Sequence, residues 1–255
     1  MTTAILTGDF HCGSETGLDP FPSNPIQKKV LECYEDAIKN VGKSPDILFL
    51  NGDLIDGRQA RGKGKGDDGD LLRQCQKAMT LIKMWSPGRI IMTTGTQYHV
   101  GDDAIEAEEF IKTALVEGGS KIEIHRKANV EINKWFRMEL RHHLGSSTIP
   151  HGRHTAGARA RTWNVLNAVY NGHMKWPHLN VYNHVHYWHY EEDAWSASMG
   201  VPAWQAIGNR YGDERCDGHV DMGLVKLEIG NTEKEGWRWV KRLYRAAVVD
   251  RTVKI

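Results

Sequence analysis

Apolar and polar positions along the first half of the chain follow two alternating rhythms. Residues 4–7 form a short apolar run that stops at Gly8-Asp9, the pattern of a buried strand meeting a loop. Across residues 26–41 the apolar positions recur at helical spacing (Ile26, Val30, Leu31, Tyr34, Ala37, Ile38). Residues 46–51 (DILFLN) predict a second buried strand, which also ends in Gly-Asp. A helix is expected over residues 71–85, closed by Ser86-Pro87-Gly88, and a third strand over residues 89–94, ending at Gly95. Residues 103–117 read as a helix stopped by Gly118-Gly119. Strand–helix alternation of this kind predicts parallel βαβ units.

The second half changes character. Strands are expected over residues 122–125, 130–140, 179–187, 195–207, 222–229 and 237–247, with one helix within residues 157–170. Residues 57–70 (GRQARGKGKGDDGD) are glycine-rich and charged in both signs, which predicts an exposed loop. Neither an internal repeat nor a linker divides the chain, so residues 1–255 are read as one domain with two packed sheets. Trp188, Trp195 and Trp204 are assigned to packing rather than to base stacking.

Composition narrows the function classes. Formal net charge is +1, which weighs against a nonspecific nucleic-acid platform, since such affinity scales with the phosphates neutralised. The four cysteines are scattered without a CxxC, which suits a reducing compartment and argues against a structural disulfide or a thiolate zinc site. No basic leader precedes the first strand, and nothing approaches the roughly 18 consecutive apolar residues of a membrane span. A soluble cytoplasmic protein is expected, with no membrane partner.

Histidines are numerous, thirteen in all, and several fall at strand ends, where α/β folds gather ligands. The first strand runs into Asp9-Phe10-His11, whose first and third residues face the same way on extended chain. The second runs into Gly52-Asp53-Leu54-Ile55-Asp56, where Asp56 reads equally well as a residue that pins the loop. The third runs into Gly95-Thr96-Gln97-Tyr98-His99. Further on come His142-His143, an adjacent pair that points to opposite faces, and His184-Val185-His186. Singly, each has an ordinary reading as a capping aspartate or a solvated histidine.

Their order carries more. A DxH, a GDxxD, a glycine-led turn with His, a mid-chain HH and a final HxH together resemble the calcineurin-like metallophosphoesterase family, over the span from Asp9 to His186. The resemblance implies an α/β fold, a two-sheet αββα sandwich, with a dinuclear metal site at its strand ends. Asp9, His11 and His186 would hold one divalent ion. Asp53 would bridge, and His184 with one of His142 or His143 would hold the other, His142 being favoured. Mixed imidazole and carboxylate ligands suit Mn²⁺, Fe or Zn²⁺ better than Mg²⁺.

One departure stands out. The family carries Gly-Asn-His-Asp or Gly-Asn-His-Glu after the third strand, whereas this chain has GTQYH, a variant similar to phage-type members. Thr96 takes the place of the Asn ligand, and His99 is either the acid that protonates the leaving group or a replacement ligand; the acid is preferred. Residues 145–161 are small and basic, so Arg153 is a candidate for substrate contact, and His143, the member of the adjacent pair left over from the metal, is another or faces only solvent. The function implied is hydrolysis of a phosphate ester, a diester or nucleic acid or else a monoester. The alternative is a degenerate scaffold or a nucleic-acid binder without catalysis.

Overall fold

The computed structural model describes residues 1–57, 70–96, 103–145, 152–172, 175–206 and 220–245. Four strands alternate with three helices in its first half: β1 (Thr2–Thr7), α1 (Pro25–Val41), β2 (Ile47–Asn51), α2 (Leu71–Ile82), β3 (Arg89–Thr93), α3 (Asp103–Glu117) and β4 (Ile122–His125). There follow β5 (Ala128–Glu131), β6 (Arg137–Arg141), α4 (Thr155–Asn171), β7 (Leu179–Tyr182), β8 (His189–Glu192), β9 (Ala197–Gly200), β10 (Asp221–Ile229) and β11 (Trp237–Arg245). One sheet has the order β11-β10-β1-β2-β3-β4, parallel from β1 to β4 and antiparallel at β10 and β11. The other has the order β5-β6-β7-β9-β8.

Period-two alternation in the central strands serves two cores at once, because successive side chains leave opposite faces. Ala4, Leu6, Ile47, Phe49, Ile91, Val225 and Leu227 point toward the second sheet, where they meet Met138, Leu140, Leu179, Val181 and Met199. Ile5, Leu48, Leu50, Ile90, Met92 and Leu224 point the other way, onto Val30, Tyr34 and Ala37 of α1, Ala78 and Leu81 of α2, and Ile111 and Leu115 of α3. The outer face of the second sheet carries α4. The layers are therefore helix, sheet, sheet, helix. The start of α1 is written locally: Asn24 Oδ1 accepts the N–H groups of Ile26 and Gln27, each at 2.9 Å, and Pro25 opens the first turn.

Four details differ from the sequence reading. The stretch expected as one strand over residues 130–140 is a hairpin of β5 and β6, folded at Asn133, whose Oδ1 accepts the N–H groups of Trp135 (3.1 Å) and Phe136 (2.9 Å). The strand expected to reach residue 187 stops at Tyr182, because His184 (φ 73°) and His186 (φ 56°) adopt left-handed backbone that a strand cannot contain. Of residues 195–207 only Ala197–Gly200 form a strand, and β8 had no clear sequence signal. Trp195 is 61% exposed, so its assignment to packing is corrected, whereas Trp204 is fully buried and donates Nε1–H to Thr7 Oγ1 at 2.8 Å.

Candidate metal centre

The parallel strands of both sheets end on one side of the molecule, and the polar residues there are drawn together by backbone pairing of two loops. Residues 9–12 run beside residues 52–56: Asp9 N–H donates to Gly52 O (3.0 Å), His11 N–H to Asp53 O (3.1 Å), Cys12 N–H to Leu54 O (3.2 Å), and Asp56 N–H to Cys12 O (3.0 Å). Between Asp9 and His11, Phe10 is fully buried and meets the Tyr34 ring edge-on at 5.6 Å, so an apolar plug anchors the loop.

The shared orientation of Asp9 and His11 does not come from extended chain. Both lie in the left-handed region (φ 49° and 46°), as do Asp53 (φ 48°), His184 and His186. Those five are the only described non-glycine residues with positive φ. Each such conformation costs on the order of 1–3 kcal/mol and persists only where surrounding structure enforces it, typically at functional sites.

Two triads result. Asp9, His11 and His186 form one; Asp53, His142 and His184 form the other; within each, one ligand-type atom per residue lies within 4.8 Å of the others. In the first, His11 Nε2 is 3.2 Å from His186 Nε2, and Asp9 Oδ1 lies 3.8 Å and 3.5 Å from those two nitrogens. In the second, His142 Nε2 is 2.8 Å and His184 Nδ1 is 3.9 Å from Asp53 Oδ2. Asp9 Oδ1 also reaches His142 Nε2 at 3.7 Å, which connects the triads.

Further residues aim these donors. His142 Nδ1–H donates to Asn51 O at 2.7 Å, which turns Nε2 toward Asp53. Asp56 Oδ1 stands 3.3 Å from His11 Nδ1. Asp9 Oδ2 accepts from Asn183 Nδ2 (2.9 Å) and from His184 N–H (3.1 Å), leaving Oδ1 for the imidazoles. Asn183 Oδ1 in turn accepts from Asn51 Nδ2 at 2.7 Å. Thr96 N–H donates to Asp53 Oδ1 at 2.8 Å, with its hydroxyl 3.3 Å from Oδ2. Glu108 of α3 holds the same turn by accepting Gly95 N–H on both carboxylate oxygens, at 3.0 Å and 3.1 Å. Two glycines make the approach possible: a Cβ on Gly52 would fall 2.4 Å from His142 Nδ1, and one on Gly95 would fall 2.2 Å from Asp53 Oδ1.

The charges are concentrated and dry. Burial alone would lower the His142 imidazole, but Asp53 and Asp9 beside it raise it from 6.5 to about 10. Burial would raise Asp9, and the His142 and His186 imidazoles outweigh it, holding the carboxyl well below its usual range. Burial, then the Asp53 charge, pushes Glu108 up to about 8. His184 and His143 are lowered, chiefly by burial.

These residues fit divalent cations. Asp9 Oδ1 is buried and faces three imidazole nitrogens at 3.5–3.8 Å, and His142 Nε2 is buried between Asp53 and Asp9. Apart from His142–Asp53 (2.8 Å) and His11–His186 (3.2 Å), the separations of 3.5–3.9 Å are too long for hydrogen bonds, whereas donors about 2.0–2.2 Å from a tetrahedrally coordinated ion stand roughly 3.3–3.6 Å apart. The two carboxylates that hold a proton on His142 would hold a cation by the same attraction.

Of the other sequence candidates, His143 is exposed, with its ring centroid 4.7 Å from that of His184. Arg153 stacks its guanidinium 4.7 Å over the Tyr187 ring, one residue from His186. His99 lies outside the described residues. Asn51, Asn183 and Glu108 were missed by sequence reasoning, and Thr96, read as standing in place of a ligand, hydrogen-bonds the Asp53 carboxylate instead. For Asn51 a signal existed, a polar residue closing an otherwise apolar strand (ILFLN).

No protein-family model matches the chain, and no curated protein matches it by sequence. Solved structures do match. A Vps29 double mutant from Entamoeba histolytica superposes with a TM-score of 0.50 at 12% identity, covering 95% of this chain and 99% of that one. The fold is that of the metallophosphoesterases. Vps29 from Cryptosporidium parvum (TM-score 0.47, 10% identity, 96% and 98% covered) and an archaeal phosphodiesterase (TM-score 0.46, 14% identity, 94% and 99% covered) match more loosely. At such identities the likeness is one of fold alone, and the phage-type character of the GTQYH turn finds no support in it. No described helix is long and apolar enough to cross a membrane.

Proposed function

We propose that the protein is a metal-dependent phosphoesterase acting at the two triads. The observation that carries the reading is the convergence of two carboxylates and four imidazoles in one cluster, five of the six residues on left-handed backbone, with the buried Asp9 Oδ1 facing imidazoles of both triads. A dry, charge-dense cluster is costly unless a positive group shares it.

Asp9, His11 and His186 would hold one divalent ion, and Asp53, His142 and His184 a second, with Asp53 as the shared carboxylate. Asp9 Oδ1, which reaches imidazoles of both triads, is a second candidate for sharing. Bound there, Mn²⁺, Fe or Zn²⁺ would neutralise phosphate charge and make water more acidic. The chain's own residues do the rest. Asp56 and the Asn51 carbonyl fix the ring orientations of His11 and His142. Asn183 and the His184 amide fix Asp9. Arg153 and His143 at the margin are assigned to the phosphate oxygens of the substrate. His99 is assigned as the acid that gives the leaving oxygen its proton.

The competing reading is a fold retained without catalysis, and Thr96 is the feature in its favour: where the family has an Asn ligand, this residue instead hydrogen-bonds the Asp53 carboxylate. Hydrolysis of bis-p-nitrophenyl phosphate and p-nitrophenyl phosphate, with Mn²⁺ or with EDTA, separates the two. A Mn²⁺-dependent, EDTA-sensitive release of p-nitrophenol that disappears in Asp53→Ala supports the enzyme. Release that is equal in EDTA, or absent throughout, refutes it.

A further inference from the structure

Helix α4 is turned inside out. Toward the second sheet it presents Gly157, Ala160, Arg161 and Ala168, and it meets a polar surface. Asn164 Nδ2 donates to Asn180 Oδ1 (2.6 Å), Arg161 Nη1 donates to Ser196 O (3.1 Å), and a Cβ on Gly157 would fall 2.7 Å from Ser198 Oγ. Its large apolar residues face solvent instead: Trp163 is 59%, Leu166 51% and Tyr170 92% exposed. With Arg159 they form one stripe at spacings of four, three and four residues. An amphipathic helix ordinarily buries such a stripe, and an exposed one marks an interaction surface.

The charge on the helix itself is one-sided, and the carboxylates nearest to it lie on its sheet-facing side, where Glu191 Oε1 accepts from Ser198 Oγ beside Gly157 and Asp193 pairs with Arg161. From residue 141 to residue 190 the chain has no Asp or Glu, while it carries Arg141, Arg153, Arg159, Arg161 and Lys175 and nine of the thirteen histidines. The formal net charge of +1 for the whole chain conceals this segregation. Arg161 is turned inward and pairs with Asp193 at 3.1 Å, so the exposed charge beside the stripe belongs to Arg159, while the half-buried Arg153 lies over the Tyr187 ring just ahead of the helix. That start adjoins the candidate metal centre through Arg153 and Tyr187, the residue after His186. Roughly 25 Å of helix thus leads away from the site.

We propose that the outer face of α4 binds single-stranded nucleic acid and guides it toward the metal centre. The inference rests on the phosphoesterase reading only for what becomes of the strand, and binding itself does not require it. Exposed Trp and Tyr faces stack on unpaired bases, the helix itself carries no carboxylate to repel phosphates, and Arg159 beside the aromatics pairs with them. A second copy of this chain fits less well, because a two-fold contact through this face would set Arg159 against the same cationic surface.

The test uses the full chain in EDTA, where metal-dependent cleavage cannot occur, with a fluorescein-labelled oligothymidylate read by fluorescence anisotropy. Wild type should bind with a dissociation constant below about 100 μM that weakens as salt rises. Trp163→Ala/Tyr170→Ala should weaken binding at least about ten-fold, since two stacking faces are lost. Arg159→Glu, a surface change with little scope to disturb folding, should weaken it and flatten the salt dependence. Mn²⁺-dependent hydrolysis of bis-p-nitrophenyl phosphate should be unchanged in both variants, so a failed phosphoesterase reading and a failed surface are told apart. Absence of wild-type binding, or variants that bind within about two-fold of wild type, overturns the proposal. So does a wild-type oligomer that the double variant converts to monomer while DNA binding persists, since the face would then belong to a protein contact.

Discussion

The two triads are built from the same chemistry but are supported differently. In the first, all three residues are buried, and His11 has the Asp56 carboxylate behind it. In the second, His184 is partly exposed, and the turn that holds Asp53 contributes Thr96, a hydrogen-bond donor, where the family pattern has a metal-ligating Asn. The comparison leads to an expectation: a closed triad with a carboxylate behind its histidine should hold an ion tightly, while a more open one should allow exchange and contact with substrate. The first triad should therefore bind its ion more tightly than the second.

The largest effects should come from the carboxylates. Asp9→Asn and Asp53→Asn are each expected to lower Mn²⁺-dependent hydrolysis on the order of a thousand-fold, as expected when a fixed electrostatic partner of the reacting group is lost. Initial rates on bis-p-nitrophenyl phosphate measure this, and a loss under ten-fold in either would break the account of that triad.

Next in size is the asymmetry itself. Titrating Mn²⁺ into metal-free protein by calorimetry should give a tight and a weaker event. His11→Ala should remove the tight one and His184→Ala the weak one. Asp56→Ala should weaken the tight event by about 10–100-fold, the usual effect of removing an outer partner of a metal-bound histidine, and leave the other unchanged. Equal weakening of both events by Asp56→Ala would contradict the asymmetry.

The sequence-level reading of these regions succeeded where a physical signal was local. Buried strands ending in Gly-Asp, at Thr7 and Asn51, were legible because apolar runs and glycine punctuation sit side by side in the chain. The hairpin at Asn133 was not, since one side chain's bonds to two backbone amides divide what looks like a continuous strand. His184 and His186 were recognised as a pair, but their division between two triads depends on left-handed backbone that alternation alone does not reveal. Glu108 was invisible for another reason: it lies on α3 among ordinary charged residues, and only the fold brings it to Gly95.

A smaller effect concerns pH. The folded state raises His142 from 6.5 to about 10, so this residue binds its proton more tightly folded than unfolded. Its contribution to stability is complete below 6.5 and is lost as pH rises toward 10. Glu108, raised from 4.5 to about 8, acts in the same direction over that lower window. Thermal unfolding in EDTA should show Tm falling as pH rises from about 6.5 to 9, with Glu108→Gln flattening the part below about 8. Excess Mn²⁺ should reduce the decline, because a cation replaces the proton between the carboxylates. A flat or rising Tm in EDTA would contradict this electrostatic picture.

The smallest effect is expected at the margin. Arg153→Ala should raise KM several-fold and leave kcat and metal content nearly unchanged, as for loss of one partly exposed charge contact with substrate. A fall in kcat at constant KM would move Arg153 from substrate binding to the chemistry itself.

The central claim is that residues from four strand ends enclose a pair of cations. Crystals grown with Mn²⁺ and measured at the manganese absorption edge test it most directly. The account predicts two anomalous peaks, one among Asp9, His11 and His186 and one among Asp53, His142 and His184. Density without a peak at either triad, in crystals whose Mn²⁺ is bound elsewhere, would contradict it.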